Sequence, residues 1–72
     1  MKTLAQLKEG ETCKIVKFTD AFLALKFIEM GCLPGEKIQH AHTAPFGCPL
    51  SFTVSGYKIS MRKSEAATII IE

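Results

Sequence analysis

The chain has 72 residues, of which 47% are hydrophobic and 22% are charged, and its formal net charge at pH 7 is +2. This size and composition predict one folded domain over residues 1–72 and exclude a disordered chain. The cationic residues are scattered, which argues against a nucleic-acid-binding stripe, and no apolar run approaches the ~20 residues that cross a bilayer. Three irregularly spaced cysteines argue against a disulfide framework, so we expect a cytoplasmic protein that binds no nucleic acid and does not insert into the membrane.

The first residues predict a short helical turn followed by a strand. Thr3-Leu4-Ala5-Gln6 has the pattern of a capping box, in which the threonine and glutamine satisfy each other's backbone amides. Residues 11–18 alternate loosely between apolar and charged side chains, which predicts a strand. We expect a kink in this strand where Ile15 and Val16 are both apolar.

The principal helix is predicted over residues 21–30, which contain neither Gly nor Pro. Thr19 or Asp20 can cap its start, and Gly31 can end it. A helical wheel places most of its apolar residues in one broad arc opposite the two charged residues: Ala21, Leu23, Ala24, Leu25, Phe27 and Ile28. Phe22 falls outside this arc, so it either tucks under a neighbouring loop or faces a partner.

A second strand is predicted over residues 36–44, after a type II turn at Pro34-Gly35. Strict alternation along this strand places four side chains on one face: Ile38, His40, His42 and Ala44. Pro45 ends the strand because it has no amide hydrogen for the ladder.

The last third of the chain predicts a hairpin and a final strand. Apolar and polar residues alternate over residues 50–55 and 57–62, on either side of a Ser55-Gly56 turn. Ser64 can cap a brief turn, and the β-branched residues 68–71 are typical of a strand buried on both faces. Five short strands in so small a chain favour a closed barrel over an open sheet.

Three segments of the sequence together resemble the FeoA family, small proteins of bacterial ferrous iron uptake. They are Met30-Gly31-Cys32-Leu33-Pro34-Gly35, Ala44-Pro45-Phe46-Gly47-Cys48-Pro49, and Val54 to Arg62 with Gly56-Tyr57 and Ile59-Ser60-Met61-Arg62. The resemblance implies a mainly β fold, an SH3-like barrel of about five strands with one α-helix inserted between the first and second strands. It also implies a non-catalytic accessory, with no cofactor, that works with FeoB, a membrane transporter that carries a cytoplasmic GTPase domain. This chain departs from the family pattern at His40, Cys32 and Cys48, where an apolar residue, Leu and Asp are usual.

The predicted partner-binding residues are the exposed aromatics and the loop beside one of them. SH3-like barrels bind mainly through loops and exposed aromatic residues. Here these are Phe22 on the helix and Pro45, Phe46 and Gly47 in the loop after the second predicted strand. We expect one of these surfaces to contact the GTPase domain of a FeoB-like transporter. The same apolar surface could also form a homo-oligomer.

The alternative function is a small metal-binding or metal-sensing module for iron or zinc. His40 and His42 would share a face of their strand and could ligate one ion, with Cys32 or Cys48 as a soft third ligand. However, the chain has no C-x-x-C or H-x-x-x-H spacing, and we expect no bound metal. A Cys48 nucleophile with either histidine as its base is a weaker, enzymatic alternative, and we expect no catalysis.

Overall fold

The computed structural model describes residues 2–72, which form six β-strands, two α-helices and one 3₁₀ turn. The strands are β1 (Lys2–Thr3), β2 (Thr12–Phe18), β3 (Lys37–Thr43), β4 (Leu50–Val54), β5 (Tyr57–Met61) and β6 (Ile69–Ile71). The helical elements are the 3₁₀ turn (Leu4–Gln6), α1 (Ala21–Glu29) and α2 (Lys63–Ala66). The predicted class is confirmed: the fold is mainly β, and its one long helix lies between the first two long strands.

All strand pairs are antiparallel, in the order β1-β6-β2-β3-β4-β5. β2 pairs with β6 on one side and with β3 on the other, so it belongs to both halves of the sheet. The register of β2 against β6 shifts between Ile15 and Lys17, which marks a β-bulge and confirms the predicted kink. A bulge increases the local twist, so the sheet can bend around the core at this point.

β6 lies in the interior of the sheet. Its three isoleucines, Ile69, Ile70 and Ile71, are all buried, which confirms the prediction of burial on both faces. β6 pairs with β1 through Lys2 and Thr3, and with β2 on its other edge. Sequence patterning did not predict β1, because two residues are too few to show alternation.

One apolar cluster fills the interior, with side chains from every part of the chain. Its largest fully buried members are Phe27 of α1 and Phe52 of β4. The other members are Leu4, Leu7, Ile15, Cys32, Ile38, Leu50, Val54, Met61, Ala66, Ile69 and Ile71. The sheet and the helices are therefore packed on a single core.

β3 departs from the predicted alternation at its centre. His40 pairs with Phe52, but the next paired residue, His42, lies opposite Ser51, so Ala41 is an extra residue in the ladder. Because a bulge reverses the alternation beyond it, His40 is buried while His42 is exposed. The prediction that both histidines share a face is therefore wrong.

The β4–β5 hairpin follows the sequence pattern. The side chains of β4 alternate between buried and half-buried, and Ser55 and Gly56 both have positive φ, at 50° and 82°. Positive φ at both central residues defines a type I′ turn, which matches the twist of the two strands. The predicted cap at Ser64 is wrong: α2 begins at Lys63, and the Glu65 carboxylate accepts the free amide of Arg62 at 2.8 Å.

Candidate functional site

α1 carries the first predicted contact residue, and both of its ends are fixed by local hydrogen bonds. At the start, Oδ1 of Asp20 accepts the amides of Phe22 and Leu23 at 2.9 and 3.0 Å. At the end, the amide of Cys32 donates to the carbonyl of Phe27 at 2.8 Å, and that of Gly31 donates to the carbonyl of Ile28 at 3.0 Å. These two bonds form a Schellman motif, which requires the positive φ that Gly31 adopts (93°).

α1 packs on the core through a narrow face. Phe27 is its one fully buried residue, and the Phe27 ring lies 5.7 Å from the ring of Phe18, centroid to centroid. Leu23 and Ala24 are half-buried. Of the predicted apolar arc, therefore, only the part around Phe27 is fully buried against the sheet.

The opposite flank of α1 is apolar and exposed. Phe22, Leu25 and Ile28 follow one another at intervals of three residues, and these residues are 86%, 65% and 43% exposed. Residues with this spacing form a continuous row on a helix surface. We call this row the α1 ridge. Of the two alternatives for Phe22, the one that tucked it under a loop is wrong.

The second predicted contact region is the connection between β3 and β4, residues 44–49, called here the β3–β4 loop. A turn forms where the amide of Gly47 donates to the carbonyl of Ala44 at 2.8 Å. The amide of Ala44 in turn donates to the carbonyl of Pro49 at 3.1 Å, which closes the base of the loop. Phe46 at the tip is 99% exposed. The loop therefore presents one aromatic ring that is not packed against any other part of residues 2–72.

α2 is attached both to α1 and to the β3–β4 loop. Nζ of Lys26 on α1 donates to Oε2 of Glu65 at 2.7 Å, while the amide of Lys63 donates to Sγ of Cys48 at 3.1 Å. The hydrogen bond from Lys26, helped by that from the Arg62 amide, lowers the pKa of Glu65. Sequence reasoning did not identify this link, although it joins the two predicted contact regions through one four-residue helix.

The two histidines occupy different environments. His40 is buried against Phe52, with 4.9 Å between ring centroids, and its Nδ1 lies 2.7 Å from the carbonyl oxygen of Leu7. A carbonyl can only accept, so Nδ1 carries the proton, and Nε2 faces the Thr43 hydroxyl at 2.9 Å. His42 is exposed, and its Nδ1 lies 3.9 Å from Oε2 of Glu9. The structure therefore does not bring the two imidazoles together on one face.

All three cysteines are free thiols in separate places. Burial raises the pKa of Cys13, and it raises the pKa of the fully buried Cys32 to about 11. Cys48 is exposed in the β3–β4 loop, and within residues 2–72 no hydrogen bond joins it to a histidine. Over the same residues, no three side chains of the His, Cys, Asp or Glu type are grouped so that they could hold a metal ion.

The surface has an open depression beside β2 and β3, lined by Thr12, Cys13, Lys14, Lys37 and Glu72. None of these five belongs to the predicted contact residues.

In the described part of the chain, neither helix has the length and apolarity that crossing a bilayer requires.

Comparison with protein families gives a match to the FeoA domain over residues 2–72. No match was found among the curated proteins. Similar solved structures include iron(II) transport protein A of Clostridium thermocellum, which is 32% identical with a TM-score of 0.91. The match covers 99% of this chain and 44% of that one.

A FeoA-like protein of Clostridium acetobutylicum is 29% identical, with a TM-score of 0.89, and the match covers 100% of this chain and 88% of that one. FeoA of Stenotrophomonas maltophilia, solved with zinc, is 23% identical with a TM-score of 0.87, and the match covers 100% of this chain and 91% of that one. That protein is described as a prokaryotic SH3 domain protein and is proposed to be a ferrous iron transport activating factor. At this identity the likeness is one of fold.

Proposed function

This chain belongs to the FeoA family, and on that premise we propose that it is a cytoplasmic, non-catalytic accessory of bacterial ferrous iron uptake. In this proposal it acts by binding the cytoplasmic GTPase domain of a FeoB-like transporter. The α1 ridge is the principal contact surface, and the β3–β4 loop with Phe46 is the second.

The exposure of the α1 ridge is the observation that supports the proposal best. Three large apolar side chains in one row are exposed, although the same helix buries Phe27 completely. Single exposed apolar residues are common on proteins, whereas a contiguous row marks a surface that another protein covers. Phe22 is the expected anchor because it is the largest and the most exposed of the three, and aromatic residues dominate binding energies at interfaces.

The local structure around the ridge supports a preformed binding surface. Asp20 and Gly31 fix the two ends of α1, and the Lys26–Glu65 ion pair ties the middle of the helix to α2. A surface that is rigid before binding loses less conformational entropy when the partner docks. The ridge therefore needs no rearrangement of the backbone to meet a flat or concave apolar surface.

The proposal includes no chemical step by this chain. Both ring nitrogens of His40 are engaged, by Leu7 and Thr43, and the sulfur of Cys48 accepts the amide of Lys63. These groups maintain the fold around β3 and α2. Any nucleotide chemistry in the complex belongs to the partner.

The test is the affinity of this chain for the isolated GTPase domain of a FeoB-like transporter from the same genome, measured by isothermal titration calorimetry. We expect Phe22→Ala to raise the dissociation constant at least about tenfold, which corresponds to about 1.4 kcal/mol. Phe46→Ala is expected to have a smaller effect. Tyr57→Ala is the matched control, because Tyr57 is an aromatic residue on β5 that is 72% exposed and lies outside both contact regions.

The control also defines the results that contradict the proposal. If Phe22→Ala and Phe46→Ala both bind as the unmodified chain does, the chosen surfaces are wrong. If Tyr57→Ala alone weakens binding, the partner docks on β5 instead. Sedimentation velocity of the chain alone at several concentrations separates partner binding from homo-oligomer formation, since a ridge used for self-association gives a concentration-dependent mass that Phe22→Ala abolishes.

A further inference from the structure

Among residues 2–72, β5 is the last strand of the sheet and has a neighbouring strand on one side only. The order of strands ends at β5, which pairs with β4 from Tyr57 to Met61. Val54 and Tyr57 flank a two-residue turn, so they exchange both backbone hydrogen bonds, and alternate pairs along the hairpin do the same. The N–H and C=O groups of Lys58 and Ser60 therefore point away from β4.

These outward backbone groups are available to a new partner. No backbone group of the described residues 2–72 bonds to Lys58 or Ser60 from outside the hairpin. The Ser60 side chain points across the sheet face, where its hydroxyl lies 3.5 Å from that of Ser51. The outer edge of β5 is thus a short row of free donors and acceptors.

The side chains of β5 give each face of this edge a different chemistry. Lys58 and Ser60 are exposed and lie on one face of the strand, and Arg62, also exposed, follows directly after the strand at the start of α2. Neither cation forms a salt bridge within residues 2–72. The other face carries Tyr57, which is largely exposed, and Ile59, which is half-buried. The edge therefore has one basic side and one apolar side.

We propose that the edge of β5 binds an extended segment of another protein, in which acidic residues alternate with apolar ones, as an added β-strand. The outward N–H and C=O groups of Lys58 and Ser60 would bond the main chain of the segment. Acidic side chains of the segment would lie beside Lys58 and Arg62, and its apolar side chains would cover Tyr57 and Ile59.

The positive charges beside the β5 edge favour an acidic segment over a second copy of the chain. Antiparallel pairing of two β5 edges would bring two Lys58 and two Arg62 side chains onto one face. Like charges on adjacent strands are destabilising, and edge lysines are a common device against such self-pairing. An acidic segment reverses the sign of this interaction. The edge shares no residue with the α1 ridge or the β3–β4 loop, so the inference stands independently of the function proposed above.

The test uses the full chain, labelled with nitrogen-15, and the synthetic peptide acetyl-Gly-Glu-Val-Glu-Val-Glu-Gly-amide at low ionic strength. We expect the amide signals of Lys58 and Ser60 to shift on titration, and hydrogen exchange at these two amides to slow down, because they become bonded. A peptide with lysine in place of each glutamate is expected to bind at least about tenfold more weakly.

Two variants and one matched control complete the test. Ser60→Pro removes an outward N–H, and Lys58→Glu replaces one of the two cations of the edge with an anion; each is expected to weaken binding at least about tenfold. Lys14→Glu is the control, since Lys14 is an exposed lysine on β2, which is paired on both sides. Circular dichroism checks that each variant folds, and Lys58→Glu with the exchange data decides the result if Ser60→Pro does not fold.

Three results would overturn the inference. The first is no shift of the Lys58 and Ser60 amides at millimolar peptide. The second is equal binding of the glutamate and lysine peptides, or an equal loss on Lys14→Glu. The third is protection of the Lys58 and Ser60 amides that grows with protein concentration in the absence of peptide, which would assign the edge to a second copy.

Discussion

β6 and α1 are both strongly apolar in sequence, yet β6 is buried and much of α1 is exposed. All three isoleucines of β6 are buried between β1 and β2. α1 has a longer apolar sequence, but it buries Phe27 alone and exposes the α1 ridge. The difference lies in the neighbours: β6 has a strand on each edge, whereas α1 meets the sheet along one narrow face.

This contrast shows that an apolar segment is buried only where neighbouring elements of the fold cover it. The apolar side chains of β6 are buried within the chain, and their burial stabilises the fold. The apolar side chains of the α1 ridge are exposed, so a partner can cover them. Substitutions of buried residues should therefore lower the stability of the fold, whereas substitutions on the α1 ridge should affect binding and leave the stability nearly unchanged.

The largest effect is expected within α1, from two phenylalanines five positions apart. Phe27→Ala should lower the free energy of unfolding by about 3–5 kcal/mol, because it leaves a cavity in the core. A domain of this size has a total stability of about 4–11 kcal/mol, so this variant is close to unfolding. Phe22→Ala should change the stability by less than about 0.5 kcal/mol. Urea unfolding followed by circular dichroism measures both, and equal losses would show that the ridge is part of the core.

A second pair, the histidines of β3, tests the same contrast with polar residues. His40→Val should destabilise the chain by about 1–3 kcal/mol, because it leaves the buried carbonyl of Leu7 without its hydrogen-bond donor. His42→Val is the matched control on the exposed side of the bulge, with an expected change within about 0.5 kcal/mol. Equal changes in the urea midpoint for the two variants would argue against the bulge at Ala41.

The end of α1 offers a smaller effect. Gly31→Ala should cost about 1–2 kcal/mol, because an L-residue is strained at the positive φ of the Schellman motif, although within residues 2–72 no atom beyond Gly31 and its two chain neighbours lies within 4 Å of the added methyl group. Gly31→Asn is the control, since asparagine tolerates this conformation better. Thermal unfolding should rank the unmodified chain first, the asparagine variant second and the alanine variant last; a reversed order of the two variants would contradict the role given to φ.

The smallest effect is expected at the link between α1 and α2. The folded state lowers the pKa of Glu65, so its carboxylate contributes stability above the ordinary glutamate pKa, and this contribution is lost as the pH falls through the lowered value. Because Lys26 is half exposed, Glu65→Gln should cost only about 0.2–1 kcal/mol at pH 7. The cost should decrease as the pH falls through the lowered pKa of Glu65. Urea unfolding at pH 7 and at pH 3 measures the difference, with Glu29→Gln as the control; a cost that persists unchanged in acid would contradict the ionic link.

Much of this fold could be predicted from local sequence patterns. The β4–β5 hairpin, the ends of α1 and the bulge in β2 all have local causes, in alternation, capping residues and paired apolar positions. The bulge in β3 has no such signal, because an extra Ala41 looks like any other strand residue. β1 is too short for a pattern, and it exists only because β6 pairs with it.

The candidate site was predictable in part. Phe22 and Phe46 could be singled out as unpartnered aromatics, and the structure leaves both exposed, although their role in binding stays a prediction. The rest of the α1 ridge could not be found, because a helical wheel does not tell which part of an apolar arc will meet the sheet. The Lys26–Glu65 link joins residues 39 positions apart, and no local pattern reports such a pair.

The position of β6 also governs when the chain can fold during its synthesis on the ribosome. β6 lies between β1 and β2, although residues 69–71 are translated after every other strand. Until Ile71 has been made, β1 has no strand to pair with, and one edge of β2 stays open. A nascent chain with an open edge is prone to wrong pairing. The pairing of β1 and of the open edge of β2 therefore waits for β6, whereas β2 to β5 pair with strands that have already been made.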